Sequence, residues 1–320
     1  MGGRVDPMVK TVFLFPGQGS QFVGMGKEFY DEDAGCRELF EEASDVLGMD
    51  IARLCFNGPE EDLKLTANTQ PALLIHSTVA LKRLREHGID FMLAAGHSLG
   101  EYSALVSTGA LKFSDAVRLV RQRGTFMQEA VPVGVGAMAA LIGLAHDKVQ
   151  ELCDAVTRTD NLVQPANLNS PEQIVIAGHK AAVETVCAEA KTAGAKRAVL
   201  LPVSAPFHSS LMKPAEVRLK DELDKTPFND MEIPVISNVD ARTRTRGSEA
   251  RAALVDQVCA PVRWVETMQN IVDQGVQAAV EIGSGKVLSG LLRRFNSDIQ
   301  CYQVGDPASL EATVSALKKA

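Results

Sequence analysis

The chain has 320 residues, 46% of them apolar and 23% charged, which excludes disorder, collagen-like repeats and low-complexity sequence. Lys plus Arg number 33 and Asp plus Glu 40, a net charge of −7, whereas sequence-independent nucleic-acid binding draws on a basic excess. The longest apolar stretch, 133–145, contains three glycines and falls short of the roughly 20 residues that cross a bilayer, so no membrane association is expected.

Residues 1–7 read as an expression scar, with Met8 as the natural start and no apolar core of the kind a signal peptide needs. Thr11 to Phe15 is a short apolar run ended by Pro16-Gly17, which predicts a buried strand. Pro71 to Glu86 has helical spacing, with Pro71 in the first turn. A strand at Ile89 to Ala95 precedes a helix from Ser98 to about Ser107, and Ser114 to Gln128 is a further amphipathic helix. Then the pattern changes. Strands at Gly136–Leu144, Leu162–Leu168, Gln173–Ala177 and Arg197–Val203 alternate with helices at Asp147–Thr157 and Ala181–Thr192. That order is the split βαβ of a ferredoxin-like unit. Pro234–Ser237 and Ala278–Ile282 read as buried strands, and the basic stretch 241–251 as an exposed loop. The expected fold is α/β: a large domain from 8–131 and 205–315, interrupted by a small subdomain at 132–204, with the site in the cleft between them. The six cysteines, at 36, 55, 153, 187, 259 and 301, include no CxxC pair. They read as free thiols in a reducing cytoplasm, with no zinc site.

The strongest chemical signal is Gly96-His97-Ser98-Leu99-Gly100, which follows a strand and opens a helix. Gly-x-Ser-x-Gly in that setting is a nucleophile elbow, exposing Ser98 at a helix N-terminus that favours a developing anion. A serine nucleophile needs a base. His76, His87, His146 and His179 lie in or beside helices and read as surface or capping residues; His97 adjoins the serine with its side chain directed away. His208, where the small subdomain returns to the large one, is the remaining candidate base, against an ordinary loop histidine.

Acyl transfer also needs two backbone donors for its oxyanion: the N–H after the nucleophile, Leu99, and one from a separate loop, for which Gln18 in Gly17-Gln18-Gly19 is the candidate. An ordinary tight turn is the alternative for that loop. It is not a dinucleotide loop, because GxGxxG requires glycine at Phe22. Gly283-Ser284-Gly285-Lys286 looks like the end of a phosphate loop but lacks the earlier glycine and a following Ser or Thr. Arg118, Arg121 and Arg123 share one helix; Arg123 is displaced from the other two and could face inward, which spacing alone does not decide.

These motifs occur together, in one order, with FPGQGSQ at 15–21, TQPAL at 69–73, GHSLGEY at 96–102, RG-FMQEAVP at 123–132, NSP-Q-VIAG at 169–178, FHS at 207–209, SNVDA at 237–241, Q---PVRW at 257–264 and G-GKVL-GL at 283–291. In this the chain resembles the malonyl-CoA:acyl carrier protein transacylase family, related to the acyltransferase domains of polyketide synthases. The resemblance implies a hydrolase-like α/β domain with a ferredoxin-like insert. It implies Ser98 as nucleophile, His208 as base, and Gln257 orienting His208 through its backbone carbonyl. Leu99 and Gln18 would supply the oxyanion N–H groups, and Arg123 would hold the malonyl carboxylate through two parallel hydrogen bonds. Phe207, before the histidine, implies malonyl over methylmalonyl. The implied partners are malonyl-CoA and an acyl carrier protein, with no metal or redox cofactor and a monomeric enzyme. Carrier docking would draw on Lys286, Arg293 and Arg294, or on the Arg242–Arg246 loop. Ser284 departs from the family, where proline is common. A serine hydrolase such as a thioesterase is the rival of similar fold, usually with the order Ser, Asp or Glu, His; a non-catalytic acyl-CoA binding module is the rival from another class.

Overall fold

The computed structural model describes residues 9–203 and 205–319, so the expected scar at 1–7 lies outside the described residues. In chain order the strands are β1 (Thr11–Phe15), β2 (Leu93–Gly96), β3 (Gly136–Ile142), β4 (Val163–Ser170), β5 (Gln173–His179), β6 (Arg197–Leu200), β7 (Val235–Ile236), β8 (Thr243–Arg244), β9 (Ala278–Ile282) and β10 (Gln300–Val304). One sheet has the order β10-β9-β1-β2-β7-β8. Its pairs are parallel except β7 with β8. β1, at the centre, is buried at all five residues, as a strand covered on both faces must be. Phe13 and Phe15 pack into one apolar cluster, Val12 and Leu14 into another beside Trp264 and Met268. This alternation is the two-residue period of a strand with helices on either side.

The other sheet has the order β4-β5-β3-β6, antiparallel throughout. The helices His146–Val156 and Lys180–Thr192 join β3 to β4 and β5 to β6, so the chain runs strand-helix-strand-strand-helix-strand. Alternate residues of β3 separate its two faces. Ala137, Ala139 and Leu141 pack under the two helices, while Met138 turns to a second cluster with Ala166, Val175 and Ala177. That second face, with Phe207 packed on it, borders the cleft.

Several expected elements shift. The long helix starts at Thr66, so Pro71 lies inside it rather than in its first turn. Proline lacks the N–H that would bond the carbonyl four residues back. That carbonyl, of Ala67, instead accepts from Arg121 Nη1 at 2.9 Å. The β2 strand is shorter than Ile89–Ala95, because Ile89 and Phe91 contribute buried side chains without pairing. The stretch 241–251 is not simply a loop: it holds β8 and the start of the helix Gly247–Asp256. Two bonds from Arg244 to Asp240 brace β8, and Asp230 caps the Gly247 N–H. His76, expected at the surface or as a cap, is fully buried. It lies on a helix enclosed on nearly every side, where no polar face was left for it.

Candidate active site

The end of β2 and the start of the helix Leu99–Ser107 form the elbow. Ser98 sits between them at φ 52° and ψ −105°, a conformation that non-glycine residues rarely adopt. Among the described residues only Ser98, His208 and Ala241 are non-glycine residues with positive φ. Two of the three are the expected nucleophile and base, consistent with backbone strain collecting at reactive sites. Two glycines make the turn possible through close approach. A Cβ on Gly100 would collide with the carbonyl of Phe15, and one on Gly17 with that of His97. The loop after β1 is therefore pressed against the elbow, which brings Gln18 beside Ser98 in the wall of one cavity. Neither the Leu99 N–H nor the Gln18 N–H meets an acceptor among the described residues. The Gln18 side chain is held instead by a bond from its Nε2 to Thr66 Oγ1 at 3.2 Å.

Ser98 Oγ lies 2.7 Å from His208 Nε2, and His208 Nδ1 lies 2.9 Å from the carbonyl oxygen of Gln257. A carbonyl can only accept, so Nδ1 carries the proton and Nε2 presents its lone pair to the Ser98 hydroxyl. Burial and the neighbouring Arg123 charge lower the pKa of His208 from 6.5 to about 3, leaving the ring neutral at pH 7. Arg123 is 2% exposed. Its Nη2 donates to Ser98 Oγ at 3.0 Å and to Gln257 Oε1 at 2.9 Å, and its Nη1 donates to Gln70 Oε1 at 2.9 Å. The guanidinium stands over the Tyr102 ring, 5.6 Å from its centroid, a cation–π contact. Burial pulls the arginine pKa down, opposed by Tyr102 and Glu101. Its Nε has no partner among the described residues, and one hydrogen of Nη1 remains beyond the bond to Gln70.

The cavity here is about 110 Å³. Gln18, Ser98, Arg123 and His208 line it from one side, and Met138 and Asn167 of the antiparallel sheet from the other, with Phe207 beside His208. The structure thus brings five of the seven sequence-predicted residues, Gln18, Ser98, Arg123, Phe207 and His208, to the wall of one cavity; Leu99 follows Ser98 directly in the chain, and Gln257 joins them through its bond to His208. Its tip closes the circuit, since Gln257 Nε2 donates to the Ser98 carbonyl at 3.0 Å. His97 points away from the serine relay, as expected, bonding Asn169 at 2.8 Å and packing on Trp264. Of the other arginines, exposed Arg118 pairs with Asp115, and Arg121 bonds the Ala67 carbonyl and the Asn68 side chain. The Gly283–Lys286 loop is no phosphate site: the helix it opens, Val287–Phe295, is capped by the buried carboxylate of Glu281, which accepts from Leu288 N and Ser289 N.

A strained serine at an elbow, a neutral imidazole against it, a carbonyl behind the imidazole and two unoccupied N–H groups form an acyl-transfer site. The family comparison agrees: the model of the acyl transferase domain matches residues 12–304. The chain belongs to the acyl transferase domain family. The malonyl CoA-acyl carrier protein transacylase of Bacillus subtilis strain 168 is 49% identical over 312 residues, covering 98% of each chain. Among solved structures, the malonyl CoA-acyl carrier protein transacylase of Coxiella burnetii superposes with a TM-score of 0.94 at 41% identity, over 97% of this chain and 98% of that one. A malonyl-transacylase solved in complex with a type II PKS acyl-carrier protein superposes at 0.93 and 45% identity, over 96% and 99%.

This acyltransferase also uses residues to which sequence reasoning gave no role. Gln70 and Glu101 lie inside quoted motifs and are each 1% exposed, and Asn238 is fully buried. Asn238 Oδ1 accepts the Ser98 N–H at 2.6 Å, and its Nδ2 bonds the Gly96 carbonyl at 2.7 Å, bracing both ends of the elbow. The available signal was a polar side chain amid residues expected to be buried, which marks a candidate without naming its partner.

Proposed function

We propose that this acyltransferase moves a malonyl group from malonyl-CoA to the phosphopantetheine thiol of an acyl carrier protein, supplying fatty-acid synthesis. The observation that carries the reading is the arginine placed 3.0 Å from the oxygen of an activated serine. A hydrolase for neutral acyl groups has no use for a buried cation there, whereas a carboxylated acyl group gives it a partner.

In this reading His208 takes the Ser98 proton as Oγ attacks the thioester carbonyl. Gln18 N–H and Leu99 N–H receive the oxyanion. The C–S bond breaks, the sulfur of coenzyme A takes the proton back from His208, and a malonyl ester stays on Ser98. The carrier's thiol, deprotonated by His208, then attacks the ester and Ser98 recovers its proton, giving ping-pong kinetics. Gln257 holds the imidazole through its backbone carbonyl, and Arg123 holds the malonyl carboxylate. The chemistry calls for no metal or redox cofactor. We take the enzyme to act as a monomer in the cytoplasm. No helix among the described residues is long and apolar enough to cross a membrane. We take 8–131 with 205–315 as the catalytic domain and 132–204 as the inserted subdomain that closes the cleft.

Carrier docking is part of the proposal. Lys286, Arg293 and Arg294 are exposed, and a Cβ built on Gly285 would lie 3.5 Å from Ser20 Cβ, so this patch adjoins the loop that carries Gln18, which favours it. The Arg242–Arg246 alternative is weaker, since Arg244 is already committed to Asp240. Intact-protein mass spectrometry tests the core reading: malonyl-CoA alone should add one malonyl group to the protein, and carrier protein should remove it as malonyl carrier. Release as free malonate would make the protein a hydrolase, and no adduct at all would make it a binding module.

A further inference from the structure

We propose that Glu101 is a positioning residue for substrate selection: it fixes the side-chain amide of Gln257 so that the amide oxygen faces the Arg123 guanidinium and aims it. This rests on the reading of Arg123 as the carboxylate-binding group.

Gln257 Nε2 lies 2.8 Å from Glu101 Oε2, 3.0 Å from the Ser98 carbonyl oxygen and 3.4 Å from Asn238 Oδ1. All three are acceptors. On the opposite side Oε1 lies 2.9 Å from Arg123 Nη2, which can only donate. The amide therefore has one workable orientation. Turned over, it would set its NH₂ against a guanidinium and its oxygen against a carboxylate, all buried.

Glu101 holds that orientation more firmly than its neighbours do. The Ser98 carbonyl already accepts the Glu101 N–H at 3.1 Å, and Asn238 Oδ1 already accepts the Ser98 N–H at 2.6 Å. Oε2 of Glu101 makes the shortest contact to Gln257 and also accepts the Asn238 N–H at 2.9 Å. Both donors converge on that one oxygen, and Oε1 has no partner among the described residues. The accepting role is thus the same whether or not the carboxyl carries a proton on Oε1. Glu101 sits three residues after Ser98, one turn along the same helix face, so elbow and brace are set by one short segment. Through Gln257 the brace reaches Arg123, and through Arg123 it reaches the acyl group.

The two arms from Glu101 predict different failures. Loss of the Asn238 arm disturbs the Ser98 N–H and should slow every acyl group alike. Loss of the Gln257 arm loosens Arg123 and should penalise a carboxylated acyl group selectively. The test is kcat/KM for malonyl-CoA and acetyl-CoA on the full chain. Glu101→Leu should lower the malonyl-to-acetyl ratio by about tenfold, the scale of one hydrogen bond to a charged group. Glu101→Gln keeps an accepting oxygen toward both donors and should hold the ratio within about twofold of wild type. Gln257→Leu, which keeps the backbone carbonyl to His208 but removes the amide, should lower the ratio as Glu101→Leu does, and it serves if Glu101→Leu does not fold. Adding Glu101→Leu to Arg123→Ala should shift the ratio no further. An unshifted ratio in Glu101→Leu or Gln257→Leu, with Arg123→Ala shifting it, overturns the role of Glu101 alone. A loss in Glu101→Gln as large as in Glu101→Leu overturns the acceptor mechanism. If Arg123→Ala itself leaves the ratio unchanged, the reading of Arg123 fails first.

Discussion

Ser98–His208–Gln257 and Ser284–His76–Gly305 are built from the same three kinds of group. In each, a serine hydroxyl meets one nitrogen of a buried imidazole while a backbone carbonyl takes the other. The distances are 2.7 and 2.9 Å at Ser98, and 2.8 and 2.8 Å at Ser284. Burial lowers both imidazole pKa values, to about 3 for His208 and about 4 for His76. Both relays border a cavity, about 110 Å³ at Ser98 and about 230 Å³ at Ser284, so what separates them is exposure, backbone strain and the donors around the serine. Ser98 is half-buried, strained at φ 52°, and faces a cavity with two unoccupied N–H groups and a guanidinium. Ser284 is 1% exposed, has Met25 Sδ at 3.3 Å and lacks an arginine. It ties the loop after β9 to the long helix Thr66–Glu86, as a polar pin. A serine–histidine–carbonyl relay is thus not in itself catalytic, since at Ser284 it satisfies buried polar groups. Access for the electrophile, and donors aimed at the oxyanion, turn one copy into a catalyst.

The comparison predicts the largest contrast at the two serines. Ser98→Ala should abolish the malonyl adduct in intact-mass measurements while the melting temperature changes little. Ser284→Ala should leave the adduct intact and lower stability by roughly 1–3 kcal/mol, the cost of leaving His76 Nδ1 without its buried partner. A malonyl adduct that persisted on Ser98→Ala, or vanished in folded Ser284→Ala, would reverse the assignment of the two relays.

The bases come next. His208→Ala should slow transfer by two or more decades, the range for a positioned base, and a rate near wild type would show that another group takes the proton. The two histidines act alike on stability. Each folded-state pKa lies below the unfolded value of 6.5, so between them the unfolded chain binds more protons than the native one. Their contribution is full above about pH 6.5 and is lost as pH falls toward 4 and then 3. Denaturant midpoints should therefore decline with acid below pH 6.5, and His76→Gln should flatten the decline without removing the malonyl adduct. A slope unchanged by that substitution would mean that His76 does not contribute to the acid limit.

Arg123 marks the difference in chemistry between the relays, and its effect is smaller than that of the base. Truncating one side of a desolvated pair costs roughly 2–5 kcal/mol, whereas an acetyl group has no charge to leave unpaired. Arg123→Ala should shift kcat/KM toward acetyl-CoA by at least about tenfold. Equal losses for the two substrates would make Arg123 a structural residue.

Legibility in the sequence followed how local each cause was. The elbow could be read because its glycines, serine, strand and helix are contiguous, and β1 and β9 could be read from unbroken apolar runs. The carbonyl behind His208 could not be read from residue type, since every residue has one; only the resemblance pointed to Gln257. The same blindness hid the second relay. Ser284 was visible as a departure from proline, and His76 as a helical histidine, but 208 residues separate them and nothing local says that they meet. Helix boundaries failed where tertiary partners replaced local ones, as at Pro71, whose orphaned Ala67 carbonyl found Arg121.

The smallest predicted effect concerns the acyl α-carbon. Phe207 is half-buried, lines the cavity beside His208 and Ser98, and packs on the cleft face of the antiparallel sheet. On the proposed function, its ring would take up volume that an α-methyl branch of the acyl group needs. Forcing an extra methyl into a filled site costs about 1–3 kcal/mol, and discrimination by a single methyl is limited to a comparable scale. Phe207→Ser removes the ring and keeps a small side chain, so methylmalonyl transfer should rise several-fold, on the order of 1 kcal/mol, relative to malonyl transfer. The ring also joins two apolar clusters, so some stability will be lost with it, and both rates must be read on protein shown to be folded. Because the carboxylate contact proposed for Arg123 is common to both acyl groups, Phe207→Ser should change the methylmalonyl-to-malonyl ratio while leaving the preference of malonyl over acetyl in place. A change in the second ratio with none in the first would mean that Phe207 supports the arginine and that the α-carbon is sensed elsewhere in the cavity wall, with Met138 and Leu201 the next side chains to substitute.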